Sequence, residues 1–216
     1  MPQETSAKII ATAERLFAHG GLEGVSLRKV ASEAGVNSAA VHYHFGSRDA
    51  LVEAVVLRRM VRIAKRRGEM LEALGARDNA PSVREILEVL VLPMAEVAER
   101  GGRAGRAYLR LLARLFSDRR DFTTQVIMQN FGETHIAIGS LLSQALPHVP
   151  QRTVHRRTML AVEATLSTFA DPEPFSVAEP EGAPPVTAPE IASELLDFLA
   201  GGLCAESLAA ESSTAA

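Results

Sequence analysis

Gly35-Val36-Asn37-Ser38-Ala39-Ala40-Val41-His42-Tyr43-His44-Phe45-Gly46-Ser47-Arg48-Asp49-Ala50-Leu51 packs a tight turn, a very short helix, a second break and the start of a long helix into one stretch. The short helix is too small to be a core element by itself. It displays small residues and then a His-Tyr-His run, which suits an element laid against another molecule. Asn37 or Ser38 caps it, and it runs to about His44. Ser47 caps the helix that follows, with Asp49 in a first turn where the helix dipole favours a carboxylate.

Two further helices precede this stretch. Thr5 to Ala18 carries Ile9, Ile10, Ala13, Leu16 and Phe17 at amphipathic helical spacing, and Gly20-Gly21 ends it. Ser26 then stands as the N-cap ahead of Leu27, Val30, Ala31 and Ala34, and Gly35 closes the second helix. Three short helices in about 45 residues, with a glycine turn between the second and third, describe a helix-turn-helix, whose second helix of the pair enters the DNA major groove. Ser38, Ala39 and Ala40 let that helix approach closely, and His42 and Tyr43 project as readers. Val41 and Phe45 face inward with Phe17, Leu27 and Val30. His44 and Arg48 flank the groove, where the phosphates lie.

Charge agrees with that reading. Residues 1–67 carry a balance of +5 and the remainder −8, which together give the net −3. No Lys or Arg occurs from Thr158 to the end. The front faces a polyanion and the back does not. The 216-residue chain is rich in Ala and Leu, has no Trp and only two Tyr, and leans to an all-α fold. A single cysteine, Cys204, excludes an intrachain disulfide framework and a Cys-based zinc site. The opening residues lack the pattern of a signal peptide, and no apolar run approaches the roughly 20 residues of a membrane span. A reducing cytoplasm fits.

Behind the front end, the fourth helix runs unbroken to about Leu74. Further helices are expected over Ser82–Arg100, Arg103–Phe116, Asp121–Leu146, Gln151–Phe169 and Ala188–Ala209. Pro93 is expected to kink or split the first of these. Asp171 to Pro189 holds six prolines and no basic residue and reads as a mobile loop, and the tail from Glu211 reads as frayed. The last helix shows Ile191, Leu195, Leu196, Phe198, Leu199 and Leu203, more apolar face than an outer helix of a monomer needs. A two-fold interface formed with Gln151–Phe169 accounts for it.

Residues about 5 to 55 resemble the DNA-binding domain of the tetracycline-repressor-like (TetR) family of bacterial regulators. The matching pieces are Ile10-Ala11-x-Ala13-x-x-Leu16-Phe17-x-x-x-Gly20, Ser26-Leu27-Arg28-x-Val30-Ala31-x-x-Ala34-Gly35-Val36 and Tyr43-His44-Phe45-x-Ser47-Arg48-x-Ala50-Leu51. The resemblance implies an N-terminal three-helix domain over 1–47 and a helical-bundle domain over 48–216 for ligand binding and dimerisation. It implies DNA contacts from Arg28, Ser38, Ala39, Ala40, His42, Tyr43, His44 and Arg48; Ser26 and Asn37, the two caps, complete the candidate DNA-binding set. His42 departs from the family, which usually has Tyr there. The Asn37-Ser-Ala-Ala-Val-x-Tyr-His-Phe-Gly-Ser string, Tyr108-Leu-Arg-Leu-Leu-Ala-Arg-Leu-Phe-Ser and Ala145-Leu-Pro-His are similar to the PsrA-type branch, which responds to fatty acids or their thioesters.

The function expected from these readings is a ligand-responsive repressor. It would bind a palindromic double-stranded operator as a homodimer and be released by a small apolar effector such as a fatty acid or acyl-CoA. Leu112, Phe116, Met128, Phe131 and His135 are the candidate pocket, and Leu195, Phe198 and Leu199 the candidate dimer contacts. Membrane partners, metals and cofactors are not expected. His42 and His44 stand at i and i+2, which do not share a helix face. The basic run Arg58, Arg59, Arg62, Lys65, Arg66 and Arg67 is weighed as a second DNA patch and read instead as a solvated face or a long-range electrostatic aid, since Arg62 lies about 20 Å along the helix from Arg48. His148 and His155 read as structural or surface residues, and Cys204 as a small packed hydrophobe. Two rival readings are an all-α enzyme and a DNA-binding architectural protein without a ligand. The chain lacks a phosphate loop, a nucleophile elbow and a metal-ligand cluster, which argues against the enzyme.

Overall fold

Local capping chemistry sets the front of the molecule. The computed structural model describes the chain except Met1, Glu23, Arg119, Pro174, 176–183, Pro185 and 207–216. α1 spans Pro2–Gly20, α2 Leu27–Ala34, α3 Ser38–Phe45 and α4 Arg48–Gly75. The Ser26 hydroxyl accepts from Lys29 N at 3.2 Å, Asn37 Oδ1 from Ala39 N at 3.0 Å and the Ser47 hydroxyl from Ala50 N at 3.1 Å. Each closes an amide that the first turn leaves open. Gly35 turns the chain between α2 and α3 at φ 61°, ψ 38°, a left-handed conformation that costs glycine nothing. α1 begins ahead of the expected Thr5 and includes Gly20, so the left-handed turn falls at Gly21.

Behind it lie α5 (Val83–Asp118), α6 (Arg120–Ala145), α7 (Gln151–Ala170) and α8 (Ala188–Cys204). α5 is the central element and packs against α1, α4, α6, α7 and α8. Its core face includes Leu87, Leu111, Leu112 and Leu115, all fully buried. Among the described residues the fold is all-helical. Ile9, Phe17, Val30, Val41 and Leu51 are also fully buried and belong to the same apolar cluster as the bundle.

Three expectations change. Pro93 neither splits nor breaks its helix; the non-helical residue is Gly102, at φ 50°, ψ −132°. Pro93 offers no amide hydrogen to the Val89 carbonyl four residues back, and Arg67 Nη2 donates to the carbonyl of the next residue, Leu90, at 3.2 Å. The break expected at Gly101-Gly102, between Ser82–Arg100 and Arg103–Phe116, is present as the Gly102 kink inside α5. α6 carries an unexpected interruption at Phe131, φ −142°, whose carbonyl accepts from His135 Nδ1 at 3.1 Å. Cys204, expected to pack, is exposed at the end of α8. α8 opens with a capping box: Thr187 and Glu190 exchange side-chain and backbone hydrogen bonds. Most of the proline-rich loop, positions 207–209 of the last expected helix, and the tail expected to fray lie outside the described residues.

Candidate nucleic-acid interface

The candidate reading helix is held by one side and offers the other. Val41 is completely buried and Phe45 half-buried against the core, as their four-residue spacing requires. Tyr43 is the most exposed large side chain of the region, at 84 %. Exposing a tyrosine ring this far gains nothing for an isolated protein, and it suits a partner surface. His42 and Ala39 are also exposed, while Ser38, Ala40 and His44 are half-buried. Small side chains at 38–40 leave the helix backbone open to close approach.

Neighbouring rings and carbonyls restrain the two histidines. His42 Nδ1 faces the Gly46 carbonyl at 3.4 Å, which leaves Nε2 as its outward atom. The His44 ring meets Tyr43 edge-on at 5.4 Å between centroids and Phe45 at 6.1 Å. Arg28 is exposed in the first turn of α2. Ser26 and Asn37 are exposed, with their oxygens engaged in the caps. Arg48 is half-buried. Its Nε and Nη2 are buried without hydrogen-bond partners among the described residues, in a cleft of about 760 Å³ shared with Gly21, Arg114 and Asp118. The guanidinium therefore turns partly inward, between the front end and α5.

Most of the basic run on α4 is the solvated face expected: Arg58, Arg62, Lys65 and Arg66 are exposed, while Arg59 and Arg67 turn inward. Arg59 donates to Glu14 Oε1 from Nε at 3.0 Å and from Nη2 at 2.7 Å. Glu14 is buried on α1, so this pair ties the front end to α4. Arg59 also lies over the Tyr108 ring at 5.6 Å, and the buried Tyr108 hydroxyl donates to the Val56 carbonyl at 2.7 Å. Arg66 pairs with Glu96 at 3.1 Å. Arg67 is 3 % exposed, and burial pulls its pKa down to about 10. A charged run says nothing of which members face inward; the helical phase relative to α1 and α5 decides that.

The other candidates scatter. Leu112 and Phe116 are core residues, Met128 is 43 % exposed, and Phe131 and His135 are half-buried at the α6 interruption. Burial lowers the His135 pKa, aided by the Arg67 charge and opposed by the Phe131 carbonyl. Leu199 packs inside its own protomer, Leu195 is half-buried, and Phe198 is 75 % exposed. Leu160 on α7, at 63 % exposure, is a second apolar side chain left open on the pair of helices that α7 and α8 form. Among the described residues no helix is long and apolar enough to cross a membrane.

Known proteins resemble the chain in both halves. A segment of 54 residues is 41 % identical to the HTH-type transcriptional regulator TtgR of Pseudomonas putida, spanning 25 % of this chain and 26 % of that protein. The chain thus matches about a quarter of the length of this curated relative. The ketosteroid transcriptional regulator KstR2 of Mycobacterium tuberculosis is similar in structure over 93 % of this chain and 95 % of its own, with a TM-score of 0.59 and 20 % identity. A TetR-like transcriptional regulator from Rhodococcus sp. RHA1 is similar over 94 % and 97 %, with a TM-score of 0.64 and 17 % identity. At these identities the structures speak for the fold alone. The model of the bacterial regulatory proteins of the tetR family matches residues 9–55, and that of the tetracyclin repressor-like C-terminal domain matches residues 88–202. With the capped helix α3 in the first segment and the α5–α8 bundle in the second, the chain belongs to the TetR family of DNA-binding transcriptional regulators.

Proposed function

We propose that this regulator is a repressor that binds a palindromic operator as a homodimer through α3 and is released by a small apolar effector held in the bundle. Residues 1–47 are the DNA-binding unit and 48–216 the effector and dimer unit, working in the cytoplasm. The observation that carries the reading is α3 itself: Val41 locked in the core, Tyr43 84 % exposed, and small residues at its start. Ser38, Ala39 and Ala40 permit approach, His42 and Tyr43 face base edges, and Arg28, His44 and Arg48 meet phosphates. Two copies related by a two-fold axis set their reading helices about 34 Å apart or a multiple of it. An effector in the bundle acts through α4, which starts where α3 ends, and changes operator affinity reciprocally with its own. A fatty acid or acyl-CoA is the effector class that the PsrA-like segments favour.

Selection of bound sequences from random DNA with the purified protein tests the operator. Tyr43→Ala is expected to weaken specific binding by about 1–3 kcal/mol. Arg48→Ala is expected to lower affinity for all sequences and flatten its salt dependence. Unchanged operator binding in both variants would remove α3 from the groove. Fatty acids and acyl-CoAs that stabilise the protein to heat yet leave operator affinity untouched would end the switch.

A further inference from the structure

Four arginines converge on a cleft of about 320 Å³ between α4 and α5: Arg59, Arg62 and Arg66 from α4, and Arg100 from α5. Among the described residues its one lining carboxylate is Glu96, held by Arg66 at 3.1 Å and Arg100 at 3.7 Å. Arg59 turns to Glu14 behind the cleft, and Arg62 stands exposed on the rim with no ion pair among the described residues. The floor is apolar, made by Ile63, Pro93 and Val97.

The same seam continues inward. One turn beyond Ile63, α4 presents Arg67, which meets Leu90 of α5, three residues before Pro93. Arg67 is 3 % exposed, its Nε has no partner, and no ion pair neutralises it among the described residues. A buried cation is ordinarily paired. Five guanidiniums along the seam therefore answer to three carboxylates: Glu14, Glu96 and, at 4.0 Å on the outer edge, Glu69.

We propose that the α4–α5 cleft binds a small organophosphate, its phosphoryl oxygens held by Arg62, Arg66 and Arg100 and its organic part lying on Ile63, Pro93 and Val97. A phosphate offers several charged acceptors to guanidinium forks that arrive from two helices. A single carboxylate is already supplied by Glu96, and it leaves Arg62 over. The cleft is at the small end of ligand sites, which run from about 300 to 1,000 Å³. DNA is the lesser fit, because Arg62 lies about 20 Å along α4 from the end that adjoins the reading helix.

The position links such a ligand to the front end. A side chain at Gly101 would meet Arg59 Nη1 at 3.6 Å, so Arg59 lies beside the α5 kink while holding Glu14 of α1. An anion in the cleft competes with Glu14 for Arg59 and so acts on the α1–α4 contact. This site is independent of an apolar effector in the bundle.

Calorimetric titration of the full chain with pyrophosphate and ADP, with adenosine as the uncharged control, tests the site at physiological ionic strength. Both anions are expected to bind at one site per protomer, and adenosine not at all. Arg62 and Arg100 are exposed, so R62A/R100A is expected to keep the wild-type circular dichroism and melting temperature. It is expected to lower affinity for both anions by about tenfold or more. Absence of binding by pyrophosphate and ADP overturns the proposal, and so does binding that survives R62A/R100A unchanged. Loss of operator binding by R62A/R100A without any phosphate present also overturns it, because the cleft is then a DNA contact.

Discussion

Glu14 is a carboxylate buried on the face of α1 that otherwise carries Ile9, Ala13 and Phe17. It is tolerated there because Arg59 meets Oε1 twice and Arg58 stands 3.7 Å from Oε2. Glu14→Gln keeps the volume and strands the cations. Arg59 is a quarter exposed, so the cost belongs at the low end of the roughly 3–5 kcal/mol for breaking a buried pair. Urea denaturation measures it, and a change below about 0.5 kcal/mol would show the pair to be solvated. His135 has a sign that can be worked out. Burial holds its folded pKa below the ordinary 6.5, so the unfolded chain takes up the proton first as pH falls. Stability is expected to decline on acidification from pH 7.5 through that range, and His135→Gln to remove this part of the decline. A variant with the wild-type pH profile would exclude His135 as its source. Neither role is legible in the chain. Glu14 lies among apolar residues and His135 on a helix without strong periodicity, and their partners are 45 positions away in one case and a buried α4 arginine in the other.

Element boundaries were legible wherever a cap or breaker acts locally. Ser26, Gly35, Asn37 and Ser47 do in the structure what their residue types imply. Thr187-x-x-Glu190 is an equally local signal for the start of α8, spaced as a capping box requires. The interruption of α6 at Phe131 was not legible. Pro93 lies inside its helix, whereas the bend at Gly102 falls where the glycine pair marks it. That bend presses Gly105 against the preceding turn: a Cβ there would lie 1.9 Å from the Val97 carbonyl oxygen. Gly105→Ala cannot be relieved by a side-chain rotation, so the bend must reopen. It is expected to lower the melting temperature by several degrees, the response to a loss of a kilocalorie or more per mole. An unchanged melting curve would place the bend elsewhere in solution.

At the scale of the whole molecule, α7 and α8 leave Leu160 and Phe198 open to water on a helix pair that already has its own core. Covering that face with a second copy is the proposed dimer, and it has a direct test. Leu160→Glu together with Phe198→Glu is expected to yield a folded monomer in sedimentation equilibrium and to weaken operator binding, since one reading helix then binds alone. A double variant that still sediments as a dimer would move the interface. The proposed dimer face rests on an excess of apolar positions on the last helix, which the sequence displays. Which of them turn outward was not legible, because Leu199 fills the protomer core and its neighbour Phe198 does not. The chain by itself determined the all-helical class, the helix-turn-helix and the residues of α3 that face away from the core. Those follow from interactions between residues within a few positions of one another, where caps, glycine turns and apolar spacing act. Only the tertiary structure decided that Arg59, Arg66 and Arg67 of α4 reach Glu14, Glu96 and Leu90 while Arg58 and Arg62 stay exposed, and that Arg67 is buried without a counter-charge among the described residues. The physical reason is that each depends on the phase of one helix against another, which hydrophobic packing across the whole bundle sets.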